Sequence, residues 1–247
     1  MSYGFDWGEQ LPTLSSQRVA LRWLRDEDAA DVFAVFRDPQ VMRYWSTPPL
    51  PDLAAARALI REIHDLFRLR TLFQWGISSP SNNAVLGTCT LFHLDWAHRR
   101  AEVGFALGRR YWGQGFASDA VELLIGFAFD TLDLHRLEAD VDPRNDRSLR
   151  LLERQGFQRE GFLRERYQLN GEFPDAVFLG LLRREWKGRR TAKPYPSGGP
   201  ILSRRTRRDA SVHSNKPSTV TAAHRMKSIN KMPRRSGIRR HVCEIAP

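Results

Sequence analysis

The sequence predicts an α/β fold, a mixed sheet with helices on its faces, and three observations predict it. Apolar residues recur with a period of two in some segments and near 3.6 in others, and the two rhythms interchange as far as Trp186. Their order reads β-α-α-β-β-β-α-β-α-β-β, which suits helices packed on a sheet rather than a sandwich or a bundle. Beyond Gly188 the periodicity stops, so the folded unit is expected to span 1–187.

Arg18–Leu24 (RVALRWL) alternates as a strand does, and Asp26 stands where it would cap a helix carrying Ala29, Val32, Phe33 and Phe36. Asp38-Pro39 breaks that helix, because the ring of a proline excludes helical backbone before it. Asp52 is placed to cap a second helix, with Ala55, Leu59, Ile63 and Leu66 at spacings of three and four. Strands follow at Leu72–Ser78, Val85–Leu94 and Ala101–Leu107, the first two joined by a turn at Ser79–Asn83 (SPSNN). A helix from Gly115 to Asp130 puts Phe116, Ala120, Leu123, Leu124 and Phe127 on one face. His135–Val141 reads as a strand, Asn145–Gln155 as a helix stopped by Gly156, and Phe162–Leu169 and Ala176–Leu182 as strands flanking the turn Asn170-Gly171.

Composition narrows the function. No apolar run approaches the ~18 residues that span a membrane, and the N-terminus lacks the basic and apolar regions of a signal peptide, so a cytoplasmic protein is expected. Cys89 and Cys243 lie too far apart for a ligand-spaced cluster, which argues against a disulfide framework or a metal site. The net charge of +11 is unevenly placed: residues 188–247 hold 15 Lys and Arg against Asp209 and Glu244, leaving 24 basic and 26 acidic residues in 1–187. The folded part is mildly acidic, so the charge is no argument that it binds nucleic acid. The basic segment 188–247 has too little apolar surface to offset its chain entropy and is expected to be disordered. It reads either as a dispensable extension or as an electrostatic arm for RNA, the ribosome or an acidic partner.

The chemistry is concentrated in Ala101–Ala117 (AEVGFALGRRYWGQGFA). A strand runs into Arg110-Tyr111-Trp112-Gly113-Gln114-Gly115, and an amphipathic helix starts directly after. Two glycines at such a turn let backbone come close to a bulky anion, and the unpaired amides of the helix start complete a pyrophosphate cradle. No Gly-Lys-Ser/Thr follows, and the spacing fails the dinucleotide fingerprint. Without further motifs, an ordinary tight turn with glycine is the better account of these residues.

Further motifs are present. Arg110-x-x-Gly113-x-Gly115 resembles the R/Q-x-x-G-x-G/A acetyl-coenzyme A loop of the GNAT superfamily of N-acetyltransferases, and RRYWGQGFASDAVELLIGFAF resembles its RimJ/RimL-like branch. Asn145-Asp146-Arg147-Ser148 is similar to that branch's N-x-x-S motif, Leu152–Phe157 to its L-E-K-x-G-F ending, and Asn170-Gly171-Glu172 with Asp175 to its last hairpin. The resemblance covers Leu14–Trp186. It implies the acyl-CoA N-acyltransferase fold, a mostly antiparallel sheet splayed between two parallel strands. It also implies transfer of acetyl from acetyl-CoA to a primary amine by direct attack, with a protein N-terminal α-amine ahead of a small-molecule amine. A CoA-binding protein without catalysis and an RNA- or ribosome-associated protein using the tail are the alternatives; neither a monomer nor a homodimer is singled out.

The resemblance also assigns residues. Backbone of Phe105, Ala106 and Leu107 is expected to pair with the pantetheine arm, and amides from Arg110 through Gly113, Gln114, Gly115, Phe116 and Ala117 to hold the pyrophosphate. Asn145 is expected near the cofactor, although its position alone reads as a helix cap. Ser148 is the candidate to protonate the departing thiolate, and Glu102 the candidate general base, with a surface carboxylate, or one that only supports neighbouring groups, as its equal alternative. Tyr167, Asp95 and His93 are further groups expected near the cleft mouth. Met42, Tyr44 and Trp45 belong to a loop expected to shape the acceptor site.

Overall fold

The computed structural model describes residues 8–45, 47–168 and 171–186. The segment 188–247, Asn170 and Cys243 lie outside them. Its strands are β1 (Leu14–Ser15), β2 (Ala20–Arg22), β3 (Leu72–Ser78), β4 (Val85–Asp95), β5 (Arg100–Leu107), β6 (Arg136–Val141), β7 (Gln158–Leu163) and β8 (Ala176–Leu182). The helices are α1 (Ala29–Phe36), α2 (Leu53–Arg68), α3 (Phe116–Gly126) and α4 (Asp146–Arg154). The strands form one sheet in the order β1-β2-β3-β4-β5-β6-β8-β7. Every neighbour pair is antiparallel except β5 and β6. This is the predicted mixed α/β architecture.

Side-chain alternation on β5 explains why helices cover both faces. Ala101, Val103, Phe105 and Leu107 share a core with Ala120, Leu124, Leu149 and Leu152 from α3 and α4. Ala106 points the other way, into a core built by Val32, Phe36, Ile60 and Ile63 from α1 and α2. Helix α2 shows how local sequence builds one of these layers. Asp52 accepts the N–H of Ala55 at 2.8 Å as an N-cap, and Ala56, Ile60, Ile63 and Phe67 bury one stripe at helical spacing. Each fully buried Ile there contributes roughly 1.5–3 kcal/mol by leaving water.

Three boundaries differ from the sequence expectation. Asp26 does not cap α1: Asp26–Asp28 form a 3₁₀ turn, and Asp28 is drawn into a buried ion pair with Arg22. The helix expected to reach Asp130 is α-helical only to Gly126 and continues as a π turn, Phe127–Thr131, that buries both Phe127 and Phe129. Strand β7 lies at Gln158–Leu163 rather than Phe162–Leu169, because it is an edge strand. Its residues are almost all exposed, so no apolar alternation marks it.

The feature that positions the site is the β5–β6 pairing. It comprises Arg100↔Arg136, Ala101↔Leu137 and Glu102↔Glu138, and then stops, although β5 runs on to Leu107 and β6 to Val141. Beyond Glu102 and Glu138 the two strands part and open a wedge in the sheet.

Candidate active site

Residues 103–107 of β5 pair with β4 on one side and with no strand on the side of the wedge. Phe105, Ala106 and Leu107 therefore present a strand edge to the gap, the geometry in which an extended ligand can add hydrogen bonds as another strand would. At the open end, β5 leads through the 3₁₀ turn Arg109–Tyr111 into α3, and β6 leads into α4. Two helix N-termini thus stand at the mouth of one gap. Their unpaired amides and positive dipole ends favour an anion there.

The glycine turn has the backbone that the sequence expects. Gly113 has φ +75° and Gly115 has φ +86°, left-handed values that favour glycine. A Cβ at Gly115 would also come within 2.8 Å of the Arg18 guanidinium. Sequence reasoning missed Arg18, which straps this loop. It donates two 2.7 Å hydrogen bonds to Asp119 in the first turn of α3 and one of 3.1 Å to the carbonyl of Gln114. These partners lie about a hundred positions away along the chain, so no local signal announces them. Inside the loop, Gln114 Nε2 donates to the Arg110 carbonyl at 2.8 Å, and Trp112 Nε1 to that of Leu107 at 2.7 Å. The Arg147 guanidinium lies 5.0 Å from the Trp112 ring centroid, joining the loop to the start of α4. Phe116 and Ala117 form the first turn of α3.

Asn145 is the N-cap of α4, accepting the N–H of Ser148 at 3.3 Å, and both residues are buried. The candidate acid and the cap are therefore one local unit at the wedge. A cleft of about 590 Å³ lies on the α1 side of the glycine loop, lined by Asp31, Asp38, Gly108, Arg109 and Arg110 among others. Glu102, at the last paired position of β5, and Ser148, near the start of α4, are not among its lining residues.

Glu102 shares the face of Ala106, opposite α3 and the glycine turn before it. It is the last β5 residue paired with β6, and its carboxylate lies 2.9 Å from His93 Nδ1. That contact, working against partial burial, holds the His93 pKa above the usual histidine value; nearby Arg166 opposes the shift and Asp140 supports it. Other acids at this level are matched with arginines. Glu138 pairs with Arg100 and Arg136, Glu160 with Arg136, and Asp140 with Arg166 at 2.8 Å. Tyr167 donates its hydroxyl to Asp140 at 2.7 Å, and the other oxygen of that buried carboxylate has no hydrogen-bond partner among the described residues. Asp95 is set apart, bound to His98 and Arg100 at the far end of β4. Of the expected acceptor loop, Tyr44 donates to the Arg144 carbonyl at 3.1 Å, while Met42 and Trp45 are buried. Those two pack in the α1–α2 core. Among the described residues no helix is long and apolar enough to cross a membrane.

Comparison with known proteins finds the following similarities. Residues 18–158 match the family model of the acetyltransferase (GNAT) domain. The chain is 38% identical over 178 residues to the uncharacterized N-acetyltransferase p20 of Bacillus licheniformis, covering 72% of this chain and 100% of that one. It is 25% identical to the ribosomal protein uS5-alanine N-acetyltransferase of Escherichia coli (strain K12), covering 70% and 92%. Spermidine N-acetyltransferase of Vibrio cholerae, solved with CoA and spermine, superposes with a TM-score of 0.62 at 22% identity, covering 69% and 99%.

Proposed function

The chain belongs to the GNAT acetyltransferase family, and from that premise we propose that it acetylates a protein N-terminal α-amine. It is an acetyl-CoA-dependent N-acetyltransferase, and the acceptor is the open choice between a ribosomal-type protein terminus and a polyamine. The observation that carries the reading is the charge pairing on the acceptor face. Glu138, Glu160 and Asp140 are each already matched by an arginine, so these three carboxylates beside the wedge are compensated and do not favour a polycation. An α-amine needs none: with a pKa near ~8 it is about a tenth neutral at pH 7, whereas an alkyl amine near ~10.4 is almost wholly charged. The difference amounts to roughly 3 kcal/mol of deprotonation that a base must otherwise supply.

Residue roles follow from position. The bound co-substrate supplies an acetyl thioester. We assign the strand edge Phe105–Leu107 to the pantetheine arm and the amides of Gly113, Gln114, Gly115, Phe116 and Ala117, with Arg110 beside them, to the pyrophosphate. Glu102 takes the proton of the amine from the opposite face, and Ser148, next to Asn145, provides the proton for the sulfur. Catalysis then rests on orientation across the wedge and on proton placement, without a covalent enzyme intermediate.

Thiol release measured against a peptide with a free N-terminus and against spermidine tests the choice. The expected kcat/KM for the peptide exceeds that for spermidine by at least about tenfold, in line with the difference in neutral amine. A preference for spermidine would overturn the acceptor while leaving the acetyltransferase itself intact.

A further inference from the structure

We propose that His93 is a positioning residue that carries the acceptor's proton from Glu102 to solvent. The inference rests on Glu102 as the base and adds the exit path. Three observations support it. Glu102 closes the β5–β6 pairing and faces the acceptor side with its side chain 17% exposed, while His93 is 57% exposed, so the pair bridges wedge and water. His93 is aimed by a bulge: the β4–β5 register slips between Phe92↔Glu102 and Asp95↔Arg100, and the histidine sits in the slip with φ +48°. Its ring rests against Phe92 at 4.9 Å between centroids. The third observation is a contrast. Glu138, Glu160 and Asp140 are held by guanidinium groups, which do not give up protons in proteins, whereas Glu102 is held by an imidazole, which does so near neutrality.

The groups facing His93 are Glu102 from β5, Asp140 from β6 and Arg166 from the β7–β8 connection, and their sum favours the protonated ring. In the step itself the amine nitrogen bonds to the acetyl carbon, the carbon–sulfur bond breaks, and its electron pair leaves on sulfur. The nitrogen's proton passes to Glu102, which then donates it to Nδ1 of a neutral His93 whose own hydrogen is on Nε2, and the ring releases that Nε2 hydrogen to water. The sulfur takes up an equivalent proton. The pair is ready only when His93 is neutral, so acid pH stops the relay.

The test compares full-length wild type, His93→Asn and Glu102→Gln by thiol release from about pH 6 to pH 9. Asparagine tolerates the left-handed backbone and can still hydrogen-bond Glu102, but it does not titrate. In the ratio of variant to wild type at each pH the acceptor's own titration cancels. Glu102→Gln is expected to lower turnover roughly a hundredfold. The His93→Asn ratio is expected to be lowest at high pH and to rise at least about fivefold toward low pH, where the wild-type ring is protonated. His93→Gly, which accepts the same backbone, is expected to regain activity with added imidazole. If Glu102→Gln is impaired but the His93→Asn ratio is flat with pH, the relay is wrong and the base assignment stands. Unimpaired Glu102→Gln would remove both.

Discussion

Ser148 and Asn145 show how one residue pair can serve stability and chemistry together. Asn145 caps α4 through the N–H of Ser148, so the cap that starts the helix also fixes the serine in its first turn. A Ser148→Ala variant keeps that backbone donor and loses only the hydroxyl. It is expected to lower kcat by roughly 10²-fold with acetyl-CoA affinity changed by less than about threefold, checked by thiol release and calorimetry. Normal turnover would remove Ser148 as the acid. Local pattern made Asn145 visible as a cap, a short-range device, whereas the role of Ser148 came from the resemblance of Asn145–Ser148 to the N-x-x-S motif. The long-range pairs were not visible: Arg18 with Asp119 and Arg22 with Asn83 join distant segments through charge and hydrogen bonding, which leave no periodicity.

At the scale of elements, the connection from β2 into α1 is held by a buried guanidinium. Arg22 uses all five donors, two on Asp28, two on Asn83 and one on the Trp23 carbonyl. Both partners of the Arg22–Asp28 pair are about nine-tenths buried, so removing the acid strands a charge. Asp28→Ala is therefore expected to cost about 3–5 kcal/mol in denaturant unfolding. A loss below about 1 kcal/mol would contradict the account. The same pair explains why Asp26 was the wrong cap: hydrophobic pattern locates the helix, but the buried arginine decides which aspartate turns inward. Strand β7 escaped accurate placement for the opposite reason, since an edge strand with exposed residues carries little pattern to read. Helices α2 and α4, with Asp52 and Asn145 as caps, were legible from spacing alone.

For the whole molecule, alternating periods revealed the layers, and the strand–glycine turn–helix string marked one wall of the proposed site. The wedge itself was legible only through family resemblance, because where two strands stop pairing depends on the elements packed on both faces. Trp186 packs against Phe129 at 5.7 Å between ring centroids, which supports our proposal that the catalytic domain ends near 187. We propose the basic segment 188–247 as separable from the chemistry. The measurement that tests the central claim most directly is calorimetric titration of acetyl-CoA into the full-length chain, the chain ending at Lys187, and full-length Gly113→Val. Valine is strained at φ +75° and sets a branched side chain in the phosphate turn. The expected result is saturable binding of acetyl-CoA and CoA but not ATP, equal in the first two proteins within about twofold and weakened at least about tenfold in the third. Wild-type affinity in a folded Gly113→Val protein would contradict the assignment of this turn to the phosphates.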